Sequence, residues 1–249
     1  MTEAGRRGPA AQSQTALAGK GKKRLPRTIA IDGPSASGKS SVGYLVAERL
    51  GYLFLDTGAT YRALTWLALQ RGVDLEDEEG VVRLAAQVDM KLGPPTAGSS
   101  ERCTIWVDGK DLTAVLRQPD VEAGVSLVSR VPQVRRAMVA VQRRMASRRR
   151  VVMAGRDVGT VVLPSADLKV YLDASLEERA RRRHEELAAL GRPFTQSDVR
   201  QQILRRDAID SQRQDSPLRA AEDAIVISTD GLNQEQVVEK IVALVEGKS

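Results

Sequence analysis

Eight residues near the start of the chain, Gly33-Pro34-Ser35-Ala36-Ser37-Gly38-Lys39-Ser40, match the pattern G-x-x-x-x-G-K-[ST] at every fixed position. They follow the apolar run Thr28–Ile31. Val42, Leu45, Val46 and Leu50 come next on one helical face, with Gly51 as the stop. A strand, a glycine loop and a helix in that order demand a sheet edge on which the loop can stand, and an anion for it to hold. Glycine lets the main chain approach phosphate with no Cβ in the way. The loop N–H groups and the helix N-terminus aim positive potential at the same point. The whole segment (Gly33, Pro34, Ser35, Ala36, Ser37, Gly38, Lys39, Ser40 and Ser41) therefore reads as an ATP site. Lys39 would reach the β- and γ-phosphates, and the Ser40 hydroxyl would bind Mg²⁺.

Short apolar runs alternate with helical patterns along the rest of the chain. Tyr52–Leu55, Val151–Ala154, Leu168–Leu172 and Ile225–Ser228 are strand candidates. Between them lie a helix over Thr60–Gln70, one that Pro132 can open, and two with capping-box spacing at Ser175/Glu178 and Asn233/Gln236. Such alternation predicts an α/β fold, a parallel sheet covered by helices on both faces. One stretch breaks the rule. Val88–Leu92, the turn-rich Gly93–Ser100, Arg102–Val107 and the pair Asp108-Gly109 read as antiparallel hairpins, so residues 84–118 are expected to form a small β insertion.

Charge narrows the partners. The formal net charge is +6, and residues 1–27 supply all of it, with seven basic side chains against Glu3. That segment lacks large apolar residues and is expected to be a disordered tail, leaving 28–249 as the folded body. The body is neutral but uneven: residues 130–219 hold 20 Arg and Lys against 11 acids. A basic middle in a neutral body suits a pocket for small anions better than a nucleic-acid track. No run approaches the roughly 20 apolar residues of a membrane span. One cysteine, Cys103, permits no internal disulfide and suits a reducing cytosol.

A phosphate loop alone does not name an acceptor. The pairing of arginine with carboxylate does more: Asp56 through Arg62, Arg156-Asp157, and Arg206 through Arg213 with Asp207 and Asp210 between them. The guanidinium fork grips phosphate oxygens bidentately, and aspartate accepts hydrogen bonds from ribose hydroxyls or a base amino group. Together they describe a pocket for a phosphorylated sugar. By spacing alone, Arg206 and Asp210 are also an ordinary helical salt bridge.

Three of these segments carry a resemblance. Asp56-Thr57-Gly58-Ala59-Thr60-Tyr61-Arg62, Gly155-Arg156-Asp157-Val158-Gly159-Thr160-Val161-Val162 and Arg206-Asp207-x-x-Asp210-x-x-Arg213 look like bacterial cytidylate kinase, in order, from about Thr28 to Val245. The resemblance implies a P-loop kinase fold, with the β insertion as monophosphate-binding domain and a helical lid over 176–200. It implies that Ser126, Arg135 and Asp157 read the cytosine edge, that Arg206 and Asp210 hold the ribose, and that Arg156 and Arg213 bind the acceptor phosphate. Thr57, Tyr61 and Arg62 would form the wall and rim. Arg179, Arg182 and Arg183 of the lid are candidates to reach over the ATP phosphates. Thr57 stands where some members have serine, and Ala154 where some have aspartate. No second magnesium ligand stands out; Asp32 and Asp157 are both conceivable.

The expected activity is ATP-dependent phosphorylation of CMP or dCMP, with Lys39, Arg156 and Arg213 as catalytic cations. The enzyme is expected to be cytoplasmic and monomeric, with neither membrane nor nucleic acid as partner. The rivals are a P-loop kinase for UMP, AMP or shikimate, and a nucleic-acid-binding ATPase using the tail and the arginine triplets 148–150 and 181–183.

Overall fold

The computed structural model describes residues 25–95, 102–147, 149–189, 191 and 194–247. The expected tail up to residue 24, the middle of the insertion's first turn (96–101), Arg148 and residues 190, 192 and 193 of the expected lid lie outside them.

Five strands form the main sheet: β1 (Thr28–Asp32), β2 (Leu53–Asp56), β6 (Val151–Gly155), β7 (Leu168–Asp173) and β8 (Ile225–Ser228). Their order is β2-β6-β1-β7-β8, and every pairing is parallel. Strand β6 is buried at all five positions, and Ile29, Ala30 and Ile31 of β1 are fully buried, as expected where helices cover both faces. On one face α1 (Lys39–Leu50) and α8 (Gln234–Glu246) pack over Ile29, Ile31, Val152 and Val170. Gly43 of α1 lies so near Phe54 and Ala154 that an added Cβ would sit 2.8 Å from the Phe54 ring. The opposite face buries Ala30, Leu55 and Met153 beneath Val139 and Val158. Strand register decides which loops meet. Asp32 lies opposite Gly155, and Asp56 opposite Ala154, so the loops after β1, β2 and β6 leave the sheet at one edge.

A second sheet is antiparallel, β3 (Met90–Gly93), β4 (Thr104–Val107) and β5 (Lys110–Asp111) in that order. Its second turn is Asp108-Gly109, with φ of 50° and 80°, the pair of left-handed conformations a two-residue hairpin demands. Cys103 is buried one residue before β4. This sheet packs into a separate apolar cluster with α2 (Thr57–Gln70), α3 (Glu78–Gln87), α4 (Pro119–Arg130) and α5 (Pro132–Ala146), around Leu64, Val81, Ile105, Val121 and Met138. Residues 84–87, expected at the start of the β insertion, are the last turn of α3. Helices α3 and α4 have no counterpart among the expected elements. Helix α2 starts at Thr57 and not Thr60, because the Asp56 carboxylate accepts the Gly58 N–H and caps it.

The remaining helices, α6 (Leu176–Ala189) and α7 (Gln196–Ser211), form a hairpin closed by Ala180, Leu187, Val199 and Ile203. The Ser175 hydroxyl accepts the Glu178 N–H at 3.3 Å, and both halves of the capping box are made at Asn233/Gln236.

Candidate active site

The donor loop is shaped by main-chain crowding. A Cβ on Gly33 would collide with the Leu172 carbonyl of β7, so only glycine lets the loop leave β1 here. Gly38 turns into α1 with φ 87°. Lys39 is buried, and its ammonium donates to the Pro34 carbonyl at 2.8 Å, spanning the loop from inside. Burial, with the Arg156 charge beside it, holds the Lys39 pKa well below the ordinary lysine value. An anion arriving at the loop would meet a desolvated cation with few competing partners.

The opposite wall comes from α2, α4, α5, the turn after β6, and α7. Thr57 Oγ1 donates to the Ala154 carbonyl at 3.0 Å, tying α2 to β6. Tyr61 is buried beneath Arg135, whose guanidinium carbon lies 5.3 Å from the ring centroid; burial pushes the Tyr61 hydroxyl up to about 12. Arg135 is itself buried; it donates to Asp157 at 2.6 Å and to the Ser129 carbonyl at 3.1 Å. Asp210 of α7 is the hub of the other pairings, accepting from Arg156 at 2.7 Å and from Arg213. Arg206 has no carboxylate partner among the described residues and reaches into the cleft. Desolvation by the surrounding wall, with Arg156 and Arg62 near, lowers its pKa to about 10. Burial, with Arg135 beside it, brings Arg213 to about 10 as well.

Donor loop and acceptor wall share a cleft of about 500 Å³. Ser35, Ala36, Gly38, Lys39, Ser40 and Ser41 line one end. Thr57, Tyr61, Arg62, Ser126, Arg135, Arg156, Asp157, Arg206, Asp210 and Arg213 line the other. Every residue expected on the acceptor side thus faces one space, although they come from segments up to 156 residues apart in the chain. Of the lid arginines, Arg182 and Arg183 line the cleft. Arg182 is anchored to Glu178 at 2.8 Å and to Thr229, and Arg183 to Glu186 at 2.8 Å. Arg179 does not join them. It is buried, donating to the Ala174 and Ser35 carbonyls and pairing with Asp207, because its position on α6 faces the back of the donor loop.

The two ends are joined through Asp32. Its carboxylate accepts the Val158 N–H at 2.8 Å and the Gly159 N–H at 2.7 Å, holding the π-helical turn Val158–Val162 that follows Arg156-Asp157. Burial pushes Asp32 up to about 6 despite those two donors. Asp32 is held by these two main-chain donors, and Asp157 Oδ2 by Arg135. The carboxylate beside the loop hydroxyl is Asp56, whose Oδ2 accepts from Ser40 Oγ at 3.1 Å. A hydroxyl and one carboxylate are hard oxygen donors suited to Mg²⁺. Among the described residues no group of three or more His, Cys, Asp or Glu surrounds them, so phosphate oxygens and water would complete the shell.

Sequence reasoning passed over Arg102 and Arg117, which also line the cleft; Arg102 donates to Ser41 Oγ at 2.9 Å. Both come from the segment around the second sheet, and a lone arginine there carries no local signal.

A family model described as cytidylate kinase matches residues 29–247. The cytidylate kinase of Geobacillus sp. (strain WCH70) is 48% identical over 217 residues, covering 87% of this chain and 95% of that protein. That of Geobacillus kaustophilus (strain HTA426) is 48% identical over 224 residues, covering 90% and 97%. The cytidylate kinase of Carboxydothermus hydrogenoformans is 44% identical over 221 residues, covering 89% and 98%.

Proposed function

Because this chain belongs to the cytidylate kinase family, we propose that the cleft seats ATP on the donor loop and CMP or dCMP against the arginine wall. The protein is an ATP-dependent CMP kinase. The observation that carries the assignment of residues is the convergence of two anion sites, Lys39 with its loop and Arg156, Arg206 and Arg213, on one cleft.

An oxygen of the CMP 5′-phosphate attacks the γ-phosphorus of ATP, and the bond from that phosphorus to the β,γ-bridging oxygen breaks. CDP and ADP result. The acceptor phosphate has a second pKa near 6 and is largely ionised at neutral pH, so no strong general base is required. What remains is to bring two anions into line and offset their repulsion. Lys39 turns from the Pro34 carbonyl to the β- and γ-phosphates, while Arg156 and Arg213, both oriented by Asp210, hold the acceptor phosphate. Arg206 and Asp210 hold the ribose. Arg135 and Asp157, locked together, offer the cytosine edge one donor face and one acceptor, beside Ser126. Magnesium, held by Ser40 and Asp56, would supply charge neutralisation on the donor phosphates. Arg182 and Arg183 close over the donor from α6.

We place the enzyme in the cytoplasm as a monomer. One buried cysteine suits a reducing compartment, and no helix among the described residues is long and apolar enough to cross a membrane. A coupled ADP-release assay with Mg²⁺ over CMP, dCMP, UMP, AMP, GMP, shikimate and single-stranded DNA is the test. Turnover is expected with CMP and dCMP. Turnover with shikimate but not CMP, or stimulation only by DNA, would overturn the reading.

A further inference from the structure

Two charged side chains beside the donor loop belong to neither end of the cleft. Arg179 of α6 and Asp207 of α7 are absent from its lining, yet they clasp Ser35 from behind. Asp207 Oδ1 accepts the Ser35 N–H at 3.0 Å, and Arg179 Nη1 donates to the Ser35 carbonyl at 3.0 Å. Arg179 also pairs with Asp207 directly, and its Nε donates to the Ala174 carbonyl at 3.1 Å. Both main-chain polar groups of one loop residue are therefore held by an ion pair bridging two helices. The next residue, Ala36, packs on the apolar cluster that closes the α6–α7 hairpin. The Arg179 and Asp207 side chains are only 10% and 17% exposed, so the pair is poorly screened and its geometry well fixed.

The same helix serves the acceptor. Arg206 immediately precedes Asp207, and Asp210, one turn on, holds Arg156 and Arg213. Side-chain hydrogen bonds at Asp207 and at Asp210, joined by the single helical turn of α7 between them, thus link Ser35 to the arginines of the acceptor phosphate. We infer that Arg179 and Asp207 are positioning residues that couple the donor loop to the acceptor wall, so that ATP on the loop tightens CMP binding and the two phosphates come into line. The inference rests on the functional reading above. A clasp that served only to hold the fold together would lower thermal stability without altering coupling between the nucleotides.

The test uses the full chain with Asp207→Asn, which keeps the shape and removes the charge, with Arg179→Met, and with the two combined. Titration calorimetry measures CMP affinity with and without β,γ-imido-ATP and Mg²⁺, beside kcat from ADP release. Wild type should bind CMP about 5–10-fold tighter when the analogue is present. In Asp207→Asn that ratio should fall to about 1, with affinity for each nucleotide alone kept within about 3-fold and kcat lowered roughly 10–100-fold. The double variant should be little worse than either single one, as for residues acting as a unit. Should Asp207→Asn melt below the assay temperature, Arg179→Lys, which keeps charge but loses the fork, is read the same way. No coupling in wild type, retained coupling and kcat in a folded variant, or lost CMP affinity with coupling intact overturns the inference. A wild type that binds neither CMP nor the analogue instead sinks the functional reading.

Discussion

Asp56 does three things with one carboxylate. It caps α2 through the Gly58 N–H at 2.8 Å, accepts from Ser40, and pairs with Arg62 at 3.5 Å. Burial by itself would raise its pKa, but the Arg62 and Lys39 charges and the Ser40 hydrogen bond outweigh that and bring it to about 2. A carboxyl depressed from an ordinary 3.8 contributes stability that is complete above about pH 4 and lost as pH falls through about 2. Asp32 has the opposite slope, since its pKa is pushed up to about 6: its contribution is present below about pH 4 and lost as pH rises through 6. Comparing Asp56→Asn with wild type isolates the first effect. The variant is expected to be less stable by on the order of 2 kcal/mol at pH 6, with the difference vanishing toward pH 2. Urea unfolding across that range measures it; a constant difference would show that Asp56 acts by shape and not by charge.

At the scale of elements, α7 joins a cap at one end to substrate groups at the other. Its N-terminus is closed by a capping box in which Thr195 accepts the Asp198 N–H at 3.1 Å and Asp198 accepts the Thr195 N–H at 3.2 Å. Thr195→Ala should cost about 1 kcal/mol of stability, seen as a lowered Tm, because the Asp198 N–H loses its acceptor. The KM for CMP should stay within about 2-fold, since Arg206 lies three turns beyond the cap. A raised KM with unchanged Tm would instead mean that the first turn of α7 touches substrate. That box, like α3 and α4, escaped the sequence reading for local reasons. Helix α4 carries Val121, Val125 and Val128 at helical spacing, but Gly124 sits in its middle and weakens the pattern. The glycine sits at a close tertiary contact: a Cβ there would force the Leu75 side chain to move and lie 3.1 Å from Thr65. Helix α3 is short and also contains a glycine, Gly80, beside its Asp77 cap.

For the molecule as a whole, two of the apolar clusters matter most to the two ends of the cleft. One lies between the parallel sheet and α1 and α8; the other joins the antiparallel sheet to α2, α3, α4 and α5. The donor loop stands on the first cluster, and much of the acceptor wall on the second. Ile105 of β4 is fully buried in the second cluster. Ile105→Ala should cost about 2–5 kcal/mol. Its kinetic effect should fall on the acceptor, with KM for CMP raised and KM for ATP little changed, because Tyr61 and Arg135 rest on that cluster. Steady-state kinetics with each substrate varied in turn would decide it. An equal rise in both values would show that the clusters do not act separately.

The parallel sheet, the donor loop and the antiparallel excursion could be read directly from the chain, because each depends on local causes: apolar runs of strand length, glycines where main chain meets phosphate, and an Asp-Gly turn. The arginines of the acceptor wall other than Arg135 stood out by their neighbouring carboxylates; resemblance added their separate roles, and with them Thr57, Tyr61, Ser126 and Arg135. Folding alone decided the pairings. Nothing local says that Asp32 holds the turn after Arg156-Asp157, that Asp56 and not Asp32 stands beside Ser40, or that Arg179 grips Ser35 from behind. A charged side chain is oriented by whichever opposite charge or open backbone group burial leaves within reach, and those neighbours come from strands and helices far away in the chain.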